Sequence, residues 1–374
     1  MNERVATRVI FFVAGMVTAI WAVIVPFAKV NTGVDDAVLG SLLLCLGAGA
    51  IVAMPLTGPL TSRFGCRRVI GGAVIVVIIA TPFLAMIRDP LTLGLTLLLF
   101  GVGIGITDCA MNIQAIIVEK ASAKPLMSGF HGMYSVGGIA GAGLMTALLS
   151  LGLEVIASVV TLVAVVLGLL AISYRALLPY ANPPEGPAFA IPRGTVLILG
   201  IICFVVFLAE GTVLDWSALY LVENRGVAES LGGLGFAVFA TAMTLGRLSG
   251  DYIISRLGAL TVVLAGALLA IAGFMVVIYS SWLPALLAGY LLVGIGCANI
   301  VPVMFSQTGK QNSMPQMVAV PAVTTLGYIG VLAGPAMIGY IAHHSSLSHA
   351  FIFVMLLMLL AALLSLSLRK VFAR

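Results

Sequence analysis

Three carboxylates stand inside long apolar runs: Asp108, Glu210 and Asp215. The rest of the thirteen acids lie at the ends of such runs or between them. A carboxylate at the centre of a bilayer-spanning helix costs roughly 2.5–3.5 kcal/mol on insertion scales, so it faces a cavity or a partner. No lysine or arginine reads as lying at matching depth to neutralise these three. A carboxyl group that is protonated in one environment and ionised in another is the chemistry that proton coupling requires. Asp108 and Asn112 are four apart and share a helix face with Gly101 and Gly105. Asn112 can bond the acid or a substrate hydroxyl. Glu210 and Asp215 are about 140° apart around a helix, so they face different ways. Glu210 lies nearer the middle of its run and is assigned to a cavity. Asp215 and Trp216 lie nearer the outer end, where a gate and an interfacial anchor are equal readings. The plain alternative for all three acids is a structural hydrogen bond to a neighbouring hydroxyl or backbone group.

Trp21, Tyr134, Trp216, Tyr220 and Tyr328 are candidates to line a substrate cavity, with aromatic belts and ordinary packing as the alternative. Asn299, Gln307, Thr324 and Thr325 offer hydrogen bonds to a substrate or to a neighbouring helix. His131 opens an apolar run, where capping or a loop contact suits it. His343, His344 and His349 lie around a loop without cysteine or acidic partners, so no metal site is expected there.

These residues need elements to hold them. Of 374 residues, 61% are hydrophobic and 8% charged. A soluble domain has about 25% charged residues, so this chain reads as an integral membrane protein. The formal charge of +5 does not indicate nucleic acid, because the basic residues sit in short loops. Five cysteines form no CxxC pair and read as small apolar fillers. A span needs about 20 apolar residues. Twelve fit, at approximately 8–29, 37–60, 69–87, 91–118, 128–150, 153–175, 194–222, 231–254, 259–280, 283–306, 318–341 and 349–368. The first is read as a retained span, since no small-residue cleavage site follows it. Twelve spans put both termini on one side. That side carries fifteen basic residues, Arg374 among them, against Lys29, Arg88 and Arg225 on the other. The termini are therefore expected in the cytoplasm.

The two halves match at an offset of 193. Ser62-Arg63-Phe64-Gly65 becomes Ser255-Arg256-Leu257-Gly258; Gly101, Gly103, Gly137 and Gly141 become Gly294, Gly296, Gly330 and Gly334. The expected architecture is all-α, with twelve transmembrane helices in two pseudo-symmetric six-helix bundles. Residues 1–175 form the first, 176–193 a proline-rich cytoplasmic linker, and 194–374 the second. A duplicated unit of this kind suits a midplane cavity and alternating access. Arg63, Arg256 and the pair Arg247 and Asp251, four apart, are candidates for a cytoplasmic gate, with simple loop anchoring as the alternative.

This pattern resembles the major facilitator superfamily. The stretch Gly58 to Arg68, GPLTSRFGCRR, is similar to that superfamily's loop signature, with Ser62 and Ser255 where an aspartate is usual. Three segments resemble the YbjJ-like inner-membrane family related to fucose permeases: TDCAMNIQAIIVEK (107–120), HGMYSVGGIAGAG (131–143) and AEGTVLDWSALYL (209–221). The resemblance implies a bacterial inner-membrane transporter, monomeric, with a small-molecule substrate, protons and the lipid bilayer as its partners. It links Asp108 to proton coupling. The acid those permeases carry in span 1 is replaced here by Ala22, four residues before Pro26. No nucleotide-binding loop and no nucleophile–base pair occurs, so neither an enzyme nor an ATP-driven pump is expected, and no cofactor is indicated. Three readings stay open: a proton-coupled symporter of a neutral, sugar-like solute, a proton-driven exporter of cationic or lipophilic compounds, and a transporter-like receptor that moves nothing.

Overall fold

Each apolar run forms a helix, because a backbone in hydrocarbon must satisfy its own hydrogen bonds. The computed structural model describes residues 1–183 and 190–372, and for Asp36 and Ala37 the backbone alone. Pro184 and Pro187 of the expected linker, and Arg374, lie outside the described residues. The long helices of the first half are α1 (Glu3–Thr32), α2 (Asp36–Met86), α3 (Pro90–Ser122), α4 (Met127–Ser150) and α5 (Val155–Tyr174). Those of the second are α6 (Thr195–Leu219), α7 (Leu234–Leu257), α8 (Ala259–Tyr279), α9 (Leu283–Ala298), α10 (Ile300–Lys310), α11 (Gln316–His344) and α12 (Leu347–Ser367). A short α13 (Arg369–Phe372) follows. Side chains cap several starts: Asn2 accepts from the Val5 amide, Asp35 from Val38 and Ser346 from His349.

Among the described residues, eleven helices are long and apolar enough to cross a membrane. The expected spans at 37–60 and 69–87 account for the difference, since both lie in α2. Gly65 inside α2 has φ 78° and ψ 156°, which is not helical. The chain reverses at this single residue, and dividing α2 there restores twelve spans. The tenth span carries Pro302, from which the sequence leads one to expect a bend. It breaks at Asn299 into α9 and α10. Pro302 has no N–H to offer the Ala298 carbonyl four residues back, which weakens the helix at that point.

The chain divides into two compact units. One comprises Met1–Ala121, Met133–Ile191 and Pro315–Pro321; the other comprises Ser122–Gly132, Pro192–Met314 and Ala322–Arg374. The exchanged segments Ser122–Gly132 and Pro315–Pro321 have no counterpart in the division drawn from sequence. In the first unit α5 packs against α1 and α2; in the second, α8 and α7 pack on α9, and α12 on α8.

The 193-residue register is written into the packing of each unit. A Cβ on Gly101 would land on the Leu46 carbonyl, and one on Gly294 would land on the Phe239 carbonyl. Gly103 meets the Ala73 carbonyl and Val77, while Gly296 meets the Gly266 carbonyl and Ala270. Every partner is displaced by the same 193 positions. Glycine allows this close approach of backbones.

The two reversal glycines make a matched pair. Gly258 has φ 80° and ψ 150°, nearly the dihedrals of Gly65. A side chain is strained at both positions. At Gly65 a Cβ would also strike the Pro179 carbonyl, whereas at Gly258 nothing lies within 4 Å. Gly258→Ala is expected to cost about 1–3 kcal/mol for the backbone alone. Gly65→Ala should cost distinctly more. Thermal unfolding of both variants in detergent checks this; equal losses would remove the steric part of the account.

Candidate functional site

The turn around Gly65 is clamped to the chain that follows α5. Arg67 donates from Nη2 to the Arg175 carbonyl at 2.6 Å and from Nε to the Leu177 carbonyl at 2.9 Å. Its own amide donates to Leu178 at 2.7 Å. Ser62 donates to the Asn182 carbonyl at 2.8 Å, so the serine in the loop signature has a local role of its own. Gln114 of α3 completes this corner. It donates to the Thr7 hydroxyl at 2.9 Å and accepts from the Leu178 amide at 3.1 Å. Sequence reasoning passed over Gln114. Its repeat mate Gln307 was the available signal. The gate candidates Arg63 and Arg256 instead lie over neighbouring rings, those of Phe64 and Tyr252, at 5.2 and 5.4 Å.

The first unit holds Asp108 partway along α3, half-buried. Among the described residues its carboxylate has no hydrogen-bond or ion-pair partner. Asn112 is fully buried, but its amide nitrogen donates to the backbone carbonyl of Asp108 at 2.9 Å. Of the two partners open to Asn112 in the sequence, the Asp108 carboxylate is not taken; the amide nitrogen goes to the helix backbone, the common resort of asparagine inside a helix. The buried Asn112 Oδ1 and Thr107 Oγ1 have no hydrogen-bond partner among the described residues. Trp21 is 5% exposed and lies against Phe100, with ring centroids 6.3 Å apart, in the interior of the unit. Tyr134 donates to the Thr18 hydroxyl at 3.4 Å.

The second unit holds Glu210 on α6, and here the sequence expectation fails. Arg247 of α7 reaches Glu210 Oε1 at 2.9 Å, with side-chain exposures of 8% for Arg247 and 18% for Glu210. A cation does stand at matching depth, and Arg247 is held by Glu210 in addition to any gating role. The arginine also donates from Nε to the Ala298 carbonyl at 3.3 Å. That is the carbonyl which Pro302 leaves without a helical donor. Asn299, at the break, donates to the Gly246 carbonyl at 3.0 Å. Cys203 and Cys297 lie within the electrostatic reach of Glu210, and His131 within that of Arg247. The His131 ring packs on Phe305 at 5.6 Å. Two helices and a helix break thus meet at one buried charge pair.

Asp251, one turn along α7 from Arg247, accepts from the Gly129 amide in the first turn of α4 at 3.1 Å. A carboxylate at a helix N-terminus satisfies an orphan donor and meets the positive end of the helix dipole. Gly250 beside it has no room for a Cβ, which would meet Asn299 Oδ1 and, at 2.6 Å, Ser128 Cβ. Asp251→Ala is expected to cost about 1–2 kcal/mol through loss of this cap. Faster amide exchange at residues 127–131 in mass-resolved hydrogen–deuterium exchange checks it; unchanged protection there would show that the cap is idle.

The remaining candidates separate. Asp215 is exposed. Trp216 is half-buried beside Gly339, with its indole N–H buried and without a hydrogen-bond partner among the described residues. Tyr220 is fully buried, stacked on Phe351 at 4.5 Å, and accepts from Arg225 at 2.5 Å. Tyr328 is half-buried on α11.

The family model of the Major Facilitator Superfamily matches residues 9–314. The chain belongs to this superfamily. Its members are secondary transporters, so this chain is a multi-pass membrane transporter and not an enzyme. Among curated superfamily relatives, an uncharacterised MFS-type transporter of Yersinia pestis is 50% identical over 97% of this chain and 94% of its own length. The membrane protein MosC of Rhizobium meliloti is 32% identical, over 92% of this chain and 84% of its own. Among solved structures, the E. coli fucose:proton symporter FucP superposes with a TM-score of 0.80 at 13% identity, over 97% of each chain. At that identity the likeness shows the superfamily fold.

Proposed function

We propose that this transporter couples the movement of a small, neutral, polar solute to protons, by alternating access in the bacterial inner membrane. The observation that carries the reading is Asp108, a carboxylate in a spanning helix with no ionic or hydrogen-bonding partner among the described residues. An acid so placed is free to take up and release a proton as access changes from one side to the other. Glu210 is the second acid of the scheme. Its pairing with Arg247 makes that centre neutral overall, so the pair itself gives no net attraction to an anionic solute. Each unit holds a buried amide side chain, Asn112 in the first and Asn299 in the second. A sugar-like solute is suggested by the fold shared with the fucose:proton symporter, tempered by Ala22 in place of that family's other acid. The fifteen-to-three charge asymmetry supports cytoplasmic termini.

The test uses the purified chain in liposomes with an acidic exterior, a pH dye inside and a panel of neutral sugars and polyols. Solute-dependent proton entry is the expected result. Proton release driven by cationic or lipophilic drugs would replace the proposal with an exporter. Ligand-induced thermal stabilisation without any flux would replace it with a receptor.

A further inference from the structure

The first unit carries a cavity of about 320 Å³ that belongs to none of the polar centres. Its walls come from the two arms of α2 and from α3, and they are almost wholly apolar: Leu60, Phe64, Val76 and Ile106 among them. Phe64 and Gly72 are exposed, so the cavity opens on the outer surface of the chain. Gly72 creates the room, since nothing lies within 4 Å of where its Cβ would stand. In a membrane protein such a groove is covered by acyl chains. One charged residue borders it. Arg68 lies one helical turn before Gly72, at the start of the second arm of α2 beside the loop that turns at Gly65. It is exposed, and among the described residues it has no hydrogen-bond or ion-pair partner. Its neighbour Arg67 is committed to carbonyls and Arg63 lies over the Phe64 ring, which leaves Arg68 as the cation among the lining residues at the groove's membrane-surface end.

We propose that this groove is a binding site for one anionic glycerophospholipid, with an acyl chain lying along Gly72 and the phosphate on Arg68. The two halves of the site match the two halves of the molecule. The apolar trough has the shape for a tail, and a guanidinium at its mouth suits a phosphate through paired hydrogen bonds. Basic residues at the membrane surface attract anionic lipids, and Arg68 falls among the basic loops that face the cytoplasmic leaflet, where the orientation proposed above places it.

Native mass spectrometry of the detergent-purified chain tests this, with palmitoyl-oleoyl phosphatidylglycerol or the phosphatidylcholine analogue added. The wild-type chain should retain one phosphatidylglycerol in preference to phosphatidylcholine. Gly72→Leu, whose Cβ has nothing within 4 Å, places its side chain in the trough and should cut retention of both lipids. Val76→Phe, one turn further along, fills it from deeper and guards against a folding failure of the first variant. Arg68→Gln should lower phosphatidylglycerol retention by about five-fold, to the level of phosphatidylcholine. Retention unchanged in both filled variants overturns the proposal, as does equal retention of the two lipids by the wild type. A paired mass that Gly72→Leu reduces to a single chain would make the occupant a second copy, and would overturn it equally.

Discussion

Asp108→Asn is expected to abolish proton-coupled transport while leaving the protein folded and its stability within about 0.5 kcal/mol of wild type. The amide has the size and shape of the carboxylic acid but cannot ionise. Asp108 makes no side-chain hydrogen bond or ion pair among the described residues, so the substitution breaks none. The Asn112 amide stays on the Asp108 backbone carbonyl, which the substitution does not touch. Stability and function should therefore separate cleanly at this position. In the liposome assay, solute-driven proton entry should vanish, while equilibrium exchange of labelled solute across the same membrane persists. Full coupled flux in the variant would remove Asp108 from the mechanism. Loss of folding together with flux would show that the carboxyl group has a structural partner.

Arg247→Met is expected to show the opposite pattern, a large loss of stability. Removing one member of a buried ion pair leaves the other charge uncompensated, at a cost of about 3–5 kcal/mol. Glu210 would be the stranded charge, and the Ala298 carbonyl would lose its donor as well. Glu210→Gln alone strands the arginine and should cost a comparable amount. The double variant Arg247→Met with Glu210→Gln removes both charges and should recover most of the loss. The thermal unfolding midpoints of the four proteins close a double-mutant cycle. Simple additivity of the two single losses would mean that the charges do not depend on each other.

Much of the fold was legible in the sequence because its physics is one-dimensional. A span needs a certain length of apolar residues, and twelve such lengths are there to be counted. The glycine register was legible for a related reason. Gly101 and Gly294 are kept small by the same backbone approach in each unit, so the repeat appears as spacing. The reversal at Gly65 was placed correctly as a turn, but not as one so tight that the helices on either side abut in a single element. The candidate site was less legible. Arg247 was grouped with the gate because Asp251 stands four residues on. Yet it lies ten residues before Leu257, the end of α7, which is about 15 Å into the helix. Counting depth along α7 would have taken it off the membrane surface, and its long side chain covers the remaining distance to Glu210. The partner of Asn112 was hard to read for a different reason. An asparagine inside a helix has its own backbone as a rival partner, and spacing alone does not say which it takes. Trp21 shows the same limit: its position in span 1 is visible in sequence, and the Phe100 ring that covers it is not.

Pro302 makes no hydrogen bond to Glu210, yet it helps decide where that acid's partner rests. The proline lacks one hydrogen. That single vacancy leaves the Ala298 oxygen open, and the Arg247 guanidinium is anchored there as well as on the acid. The orientation of the charge pair is thus inherited in part from a missing atom on a third helix. Sliding or straightening α10 against α9 would pull on the arginine before anything touched the carboxylate. A bend that looks like a local flaw in one helix is, in this arrangement, a handle on the ionic centre of the unit.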